Sequence, residues 1–134
     1  VDEAVPLLRE LAGAYPTEIE VRAWLAVALR RAGLKEESAR LFQQVLEEQP
    51  KHPVVLMEQA RAAGEEEHWD EARQHLRQVL ADHPRNEQAW LLLSNTLIRL
   101  DQREAAVTAL RQAQRLLPDS SRIGQALLAL EQRP

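Results

Sequence analysis

The stretch EARQHLRQVLADHP, Glu71–Pro84, reads as one amphipathic helix closed by a proline. Ala72, Leu76 and Val79 are offset by four and then three residues, which places them on one helical face. The same outline recurs as EAVPLLRELAGAYP at Glu3–Pro16, ESARLFQQVLEEQP at Glu37–Pro50 and AAVTALRQAQRLLP at Ala105–Pro118. The four closing prolines, Pro16, Pro50, Pro84 and Pro118, are each 34 residues apart. A fixed period of this length marks a helical-repeat array.

The copies agree at the positions that would pack. Twelve residues before each proline stands a small residue: Ala4, Ser38, Ala72 or Ala106. Eight before it stands a bulky one: Leu8, Phe42, Leu76 or Leu110. Five before it comes Leu11, Val45, Val79 or Ala113. The small residue lets a neighbouring helix approach closely, and the bulky one fills the space beside it.

A second kind of helix stands between the copies. Thr17-x-x-Glu20 reads as a capping box before the first of these, and Gly33 as its stop. Pro53 suits a first-turn position, Asn86 suits a cap, and Asp101-x-x-Glu104 reads as another capping box. The pattern predicts helices near residues 2–14, 18–32, 36–48, 53–64, 70–82, 87–100, 102–116 and 121–132, with no strand. Each pair carries an apolar side that it cannot bury alone, so successive pairs are expected to stack.

Composition sets the outer bounds. The 134 residues are 45% apolar, 28% charged and only 4% aromatic, a globular rather than a disordered balance. The net charge of −4 is mixed along the chain, which argues against a nucleic-acid surface. Without cysteine there are no disulfides, thiolate metal sites or cysteine nucleophiles. The longest apolar run, AWLAVAL at Ala23–Leu29, is too short to span a bilayer. The opening Val fits an excised segment, and fifteen Arg against two Lys fit a GC-rich bacterial genome. Cytoplasmic and bacterial periplasmic locations remain equally compatible.

With proline at position 32 of each unit, the chain resembles the tetratricopeptide repeat family. Repeat 3 carries Trp90, Leu93, Ser94 and Leu97 at the packing positions, where repeat 1 has Arg22, Leu25, Ala26 and Leu29. Repeat 2 has Leu56, Gln59, Ala60 and Ala63, followed by HWDEA (His68–Ala72), typical of the turn into a second helix. The repeats are expected at 19–52, 53–86 and 87–120, with a half repeat at 1–18 and a terminal helix at 121–134, all within a single domain. Arg22 in the tryptophan slot, Gln59 in the leucine slot and Gly64 inside a helix depart from the pattern. These departures bear on local packing rather than on architecture.

The resemblance implies an all-α, right-handed superhelix acting as a non-catalytic protein–protein interaction module. It implies that the second stripe of each first helix lines a concave groove for a partner's peptide or helix. That stripe contains Trp24, Val27 and Arg30, then Val54, Met57 and Arg61, then Gln88, Leu91, Leu92, Asn95 and Ile98, with Glu20, Ala23 and Glu58 interspersed. Trp24, Met57, Leu91 and Leu92 would each forgo roughly 1.5–3 kcal/mol of burial if left in water. Such a patch reads as a binding site, or as a surface that tight curvature or loops cover. Arg30, Arg61 and Arg99 are candidates to fix an acidic or carboxyl-bearing ligand. The Lys, Asn and Arg set with which some members clamp the C-terminal carboxylate of chaperone tails is absent: its positions hold Ala23, Val27, Glu58, Gln88 and Leu92, or, one repeat on, Met57, Arg61, Leu92, Arg122 and Ala126.

No catalytic constellation or cofactor motif stands out. His68, Glu71 and His75 lack a further firm ligand, so they read as solvated polar residues rather than as a metal site. A different reading makes the chain a structural spacer or self-association segment. In it the half repeat and the apolar terminal helix (Ile123, Leu127, Leu128, Leu130) stack on further helices.

Overall fold

The computed structural model describes residues 4–132. Among them lie eight helices and no strand: α1 (Ala4–Ala14), α2 (Ile19–Arg31), α3 (Lys35–Glu48), α4 (Pro53–Glu65), α5 (Trp69–Asp82), α6 (Glu87–Arg99), α7 (Arg103–Leu116) and α8 (Ser121–Glu131). Each lies within two residues of its expected bounds. The expected start of the first helix, at residue 2, falls outside the described residues.

The recurring prolines do more than stop helices. Each is the second residue of a four-residue turn closed by a backbone hydrogen bond. Glu18 N–H donates to Tyr15 C=O, His52 to Gln49, Asn86 to His83 and Ser120 to Leu117, all at 3.1 Å. Proline presets the backbone angle that this turn position needs, and it cannot continue the preceding helix.

The other connection is equally regular. Gly33, Glu67 and Asp101 stand 34 residues apart, and all three have positive φ, at 89°, 62° and 59°. After each, the next N–H reaches back to close the helix end: Leu34 to Leu29 C=O (2.9 Å), His68 to Ala63 C=O (2.8 Å), Gln102 to Leu97 C=O (2.8 Å). This is the Schellman closure, in which a left-handed residue reverses the chain. Glycine fills it once, and Glu67 and Asp101 fill it at a steric cost.

Two expected caps fail for the same reason. Thr17 and Asp101 lie too early: the N-cap positions are Glu18 and Gln102, and neither side chain caps its helix. Asp101 instead supplies the left-handed turn. Asn86 does cap α6 as expected, accepting from Ala89 N–H, and Ser120 caps α8 through Ile123 N–H.

The chain forms two compact units, Val1–Glu58 and Gln59–Pro134. In the first, α2 packs against α1 and α3. Ala23, Ala26 and Val27 of α2 meet Phe42 and Val45 of α3 and Val55 of α4 in one buried cluster. Leu25, Ala28 and Leu29 face Val5 in another. Ser38 is fully buried and donates to Ala26 C=O at 2.6 Å, so α3 lies almost against the α2 backbone. Arg22, in the tryptophan slot, is largely buried and paired with Glu48 at the end of α3.

In the second unit α6 packs on α5 and α7, and α8 packs on α6 and α7. Trp90 is buried and donates its indole N–H to Pro84 C=O at 2.7 Å, tying α6 to the turn before it. The helix runs through Gly64 to Glu65 without a break.

Glu67→Gly should stabilise the fold by about 0.5–1 kcal/mol, because relief of left-handed strain outweighs the extra unfolded-state entropy. Asp101→Gly should gain less, since Asp tolerates this region better. Gly33→Ala should cost about 1 kcal/mol. Thermal unfolding followed by circular dichroism measures all three.

Candidate functional site

The first-helix stripe divides into residues that are open and residues that are not. Trp24 is 50% exposed and Ile98 42%. Gln88, Asn95 and Arg99 are exposed, while Val54, Leu91, Leu92, Arg30 and Arg61 are half-buried. Val27 and Met57 are buried, as are Ala23 and Glu58. The expectation that Val27 and Met57 lie open is therefore corrected. Val27 is consumed by packing against Phe42 and Val45, a contact that helical spacing alone does not register.

Arg30 is also corrected. It was expected to meet a ligand carboxylate, and it already holds one belonging to the chain. Glu58, 1% exposed, accepts from Arg30 Nε (2.9 Å) and Nη2 (2.6 Å) and from Arg31 Nη2 (3.1 Å). Burial pushes the Glu58 carboxyl up and is the largest single influence on it. Hydrogen bonds from Arg31 and Arg30, with their charges, outweigh burial and hold it below its ordinary value of 4.5. The cluster is a structural lock in the first unit.

The histidines are divided. His52 precedes α4 in a loop as expected, yet its ring is buried and Nε2 donates to Glu20 at 2.8 Å. His68 and His75 stand 3.7 and 4.0 Å from Glu71. Among the described residues no cluster of His, Cys, Asp or Glu is placed to hold a metal ion. Among them, too, no helix is long and apolar enough to cross a membrane.

The second unit contains a pocket of about 320 Å³ between the end of α4, the start of α5, and α6. Three of the expected residues, Arg61, Leu92 and Asn95, line it. Two others adjoin these. Gln88 accepts from Arg61 Nη2 at 2.9 Å, and the Arg99 guanidinium sits 5.7 Å from the centre of the Trp69 ring. Trp69 and Gly64 also line it and were not anticipated as site residues. The available signal was the pair itself, a glycine interrupting a helical pattern five residues before a tryptophan. A second hollow, about 570 Å³ between α5, α6 and α7, has a floor of Trp90, Leu93 and Leu97 already buried in packing.

Helix pairs held in a constant register, with one face of the first helices partly open, define an α-helical repeat protein. The chain belongs to the tetratricopeptide repeat family, whose pattern matches residues 1–62 and 65–130. Its fold class is accordingly the all-α tetratricopeptide-repeat solenoid. Proteins of this family are typically non-enzymatic scaffolds for protein–protein interaction.

Solved structures agree on the fold. MamA 41-end from Desulfovibrio magneticus RS-1 is 23% identical with a TM-score of 0.74, covering 98% of this chain and 75% of that one. Pseudomonas aeruginosa pilF is 18% identical with a TM-score of 0.79, over 96% of this chain and 59% of that one. A tetratricopeptide repeat protein from Parabacteroides merdae ATCC 43184 is 18% identical with a TM-score of 0.76, over 96% and 51%. At these identities the likeness is one of fold. No curated protein matches the sequence.

Glu58→Gln should destabilise the chain at pH 7 by roughly 2–3 kcal/mol, because two arginines lose a buried counter-charge. Glu58 titrates lower in the folded chain than its unfolded value of 4.5. Its contribution is therefore fully present above that value and is lost as pH falls through the folded one. The variant should show a flatter acid limb in a plot of urea stability against pH.

Proposed function

We propose that the chain is a non-catalytic module that binds a peptide or helix of a protein partner along the open faces of its first helices. The division into a half repeat at 1–18, repeats at 19–52, 53–86 and 87–120, and a terminal helix from 121 belongs to the same proposal. The supporting observation is Trp24. A tryptophan left 50% exposed on a helix whose neighbouring residues are buried costs stability unless a partner covers it. Ile98 repeats this in the second unit, with half-buried Leu91 and Leu92 beside it. Tryptophan and large apolar residues within a polar rim are the usual anchors of protein interfaces.

The test uses peptides of about 12 residues selected from a random library on the immobilised chain. Trp24→Asp and Leu91→Asp should each weaken the selected peptides about tenfold or more, with helicity and melting nearly unchanged. Loss of fold instead would assign these side chains to packing.

One observation favours self-association as a second reading. Leu11 of α1 is 44% exposed, whereas its counterparts Val45, Val79 and Ala113 are between 0 and 1%. Leu7 and, on α8, Leu128 are more exposed still. On this reading the faces of α1 and α8 take helices from another copy or from further repeats. Sedimentation across concentration should then show association that Leu11→Glu abolishes.

A further inference from the structure

Gly64 has no conformational reason to be glycine. Its backbone is ordinary α-helix, and the positive-φ glycine of the chain is Gly33. Glycine within a helix costs about 1 kcal/mol relative to alanine. Its counterparts 34 residues away are Arg30 and Ile98, both long side chains. What the missing side chain permits is the close approach of Trp69: a Cβ at residue 64 would lie 3.2 Å from Trp69 Cζ3, tighter than ordinary van der Waals contact. With Ala60 beside it, the glycine seats the tryptophan against α4, and all three line the pocket.

The pocket's floor is apolar and its rim is charged. Leu76 and Leu92 join Trp69 in the lining. On the rim Arg61 donates to Gln88, and Glu65 stands close by. Arg99 lies over the Trp69 ring, and among the described residues it forms no ion pair with a carboxylate. A stacked guanidinium keeps its outer edge free for the two oxygens of a carboxylate. The cavity, about 320 Å³, lies at the small end of ligand pockets, room for one anchoring side chain with its flanking backbone.

We infer that Gly64 is a specificity-determining residue, because the pocket it lines with the Trp69 ring it seats takes one bulky apolar side chain of an acidic partner peptide whose adjacent carboxylate meets Arg99. The inference rests on the partner-binding reading above and adds to it the chemistry of the partner. Leucine, methionine or phenylalanine beside Asp or Glu fits the site. A lysine or arginine in that place would meet Arg99 with like charge.

Random peptides of about 12 residues, selected on the intact chain and sequenced, supply the probe. Enriched peptides should share a bulky apolar residue next to Asp or Glu. A synthesised winner, titrated by calorimetry, should lose about tenfold in affinity for Gly64→Leu and for Arg99→Glu. Arg99 is exposed, so its variant keeps the test valid if Gly64→Leu disturbs folding. Winners that are basic, or that bind both variants unchanged while losing affinity for Trp24→Asp, overturn the pocket and leave the partner-binding reading standing. Enrichment of no peptide at all overturns that reading and this inference with it.

Discussion

The closest contact between a second helix and the first helix before it is the constraint on which the rest depends. Ser38 can donate to Ala26 C=O at 2.6 Å only because both positions carry small side chains. Ala72 and Ala106, its counterparts, are equally buried. That contact needs the two helices to arrive in a fixed register, and the turns supply it. The Schellman residue sets the turn within a pair, and the proline turn sets the turn between pairs. One residue more or less in either would rotate the small residues off the interface by about 100°, leaving a bulky side chain at the point of closest approach.

Charge is distributed according to what packing leaves over. Where a polar side chain falls on a packed face it finds a partner within the chain: Arg22 pairs with Glu48, Glu58 with Arg30 and Arg31, and His52 hydrogen-bonds Glu20. In each, one member is largely buried, so removing its partner strands a polar group with little access to water. Arg99 differs, since an aromatic face rather than a carboxylate holds it. Aromatic stacking orients a guanidinium without cancelling its charge, which is what the proposed carboxylate contact requires. Arg30 and Arg99 looked alike in sequence, and their neighbours made one a brace and the other a rim charge.

Gly64 and Trp69 show how far pattern reading extends. Position 64 departs from the repeat's expected residue and resembled a flaw in a helix. In three dimensions the helix continues and the departure becomes a seat for Trp69, which returns across a chain reversal at Glu67 and walls a hollow with it. No periodicity links the two residues. Val27 and Met57 make the opposite point: their helical phase puts them on the stripe with Trp24, yet both are buried. Phase gives a direction around one helix axis, whereas exposure depends on how many neighbouring helices look in that direction.

The sequence by itself determined the eight helices, their 34-residue register and the small-residue seam, since these follow from local backbone preference and apolar spacing repeated along the chain. It also indicated the open faces around Trp24 and Ile98. The tertiary structure alone decided which of the stripe's residues stay open, which arginine is spent on Glu58, and where Gly64 and Trp69 come together to wall a pocket. Those outcomes depend on contacts made across chain reversals, from Gly64 against Trp69 to Arg30 with Glu58, which no helical periodicity encodes.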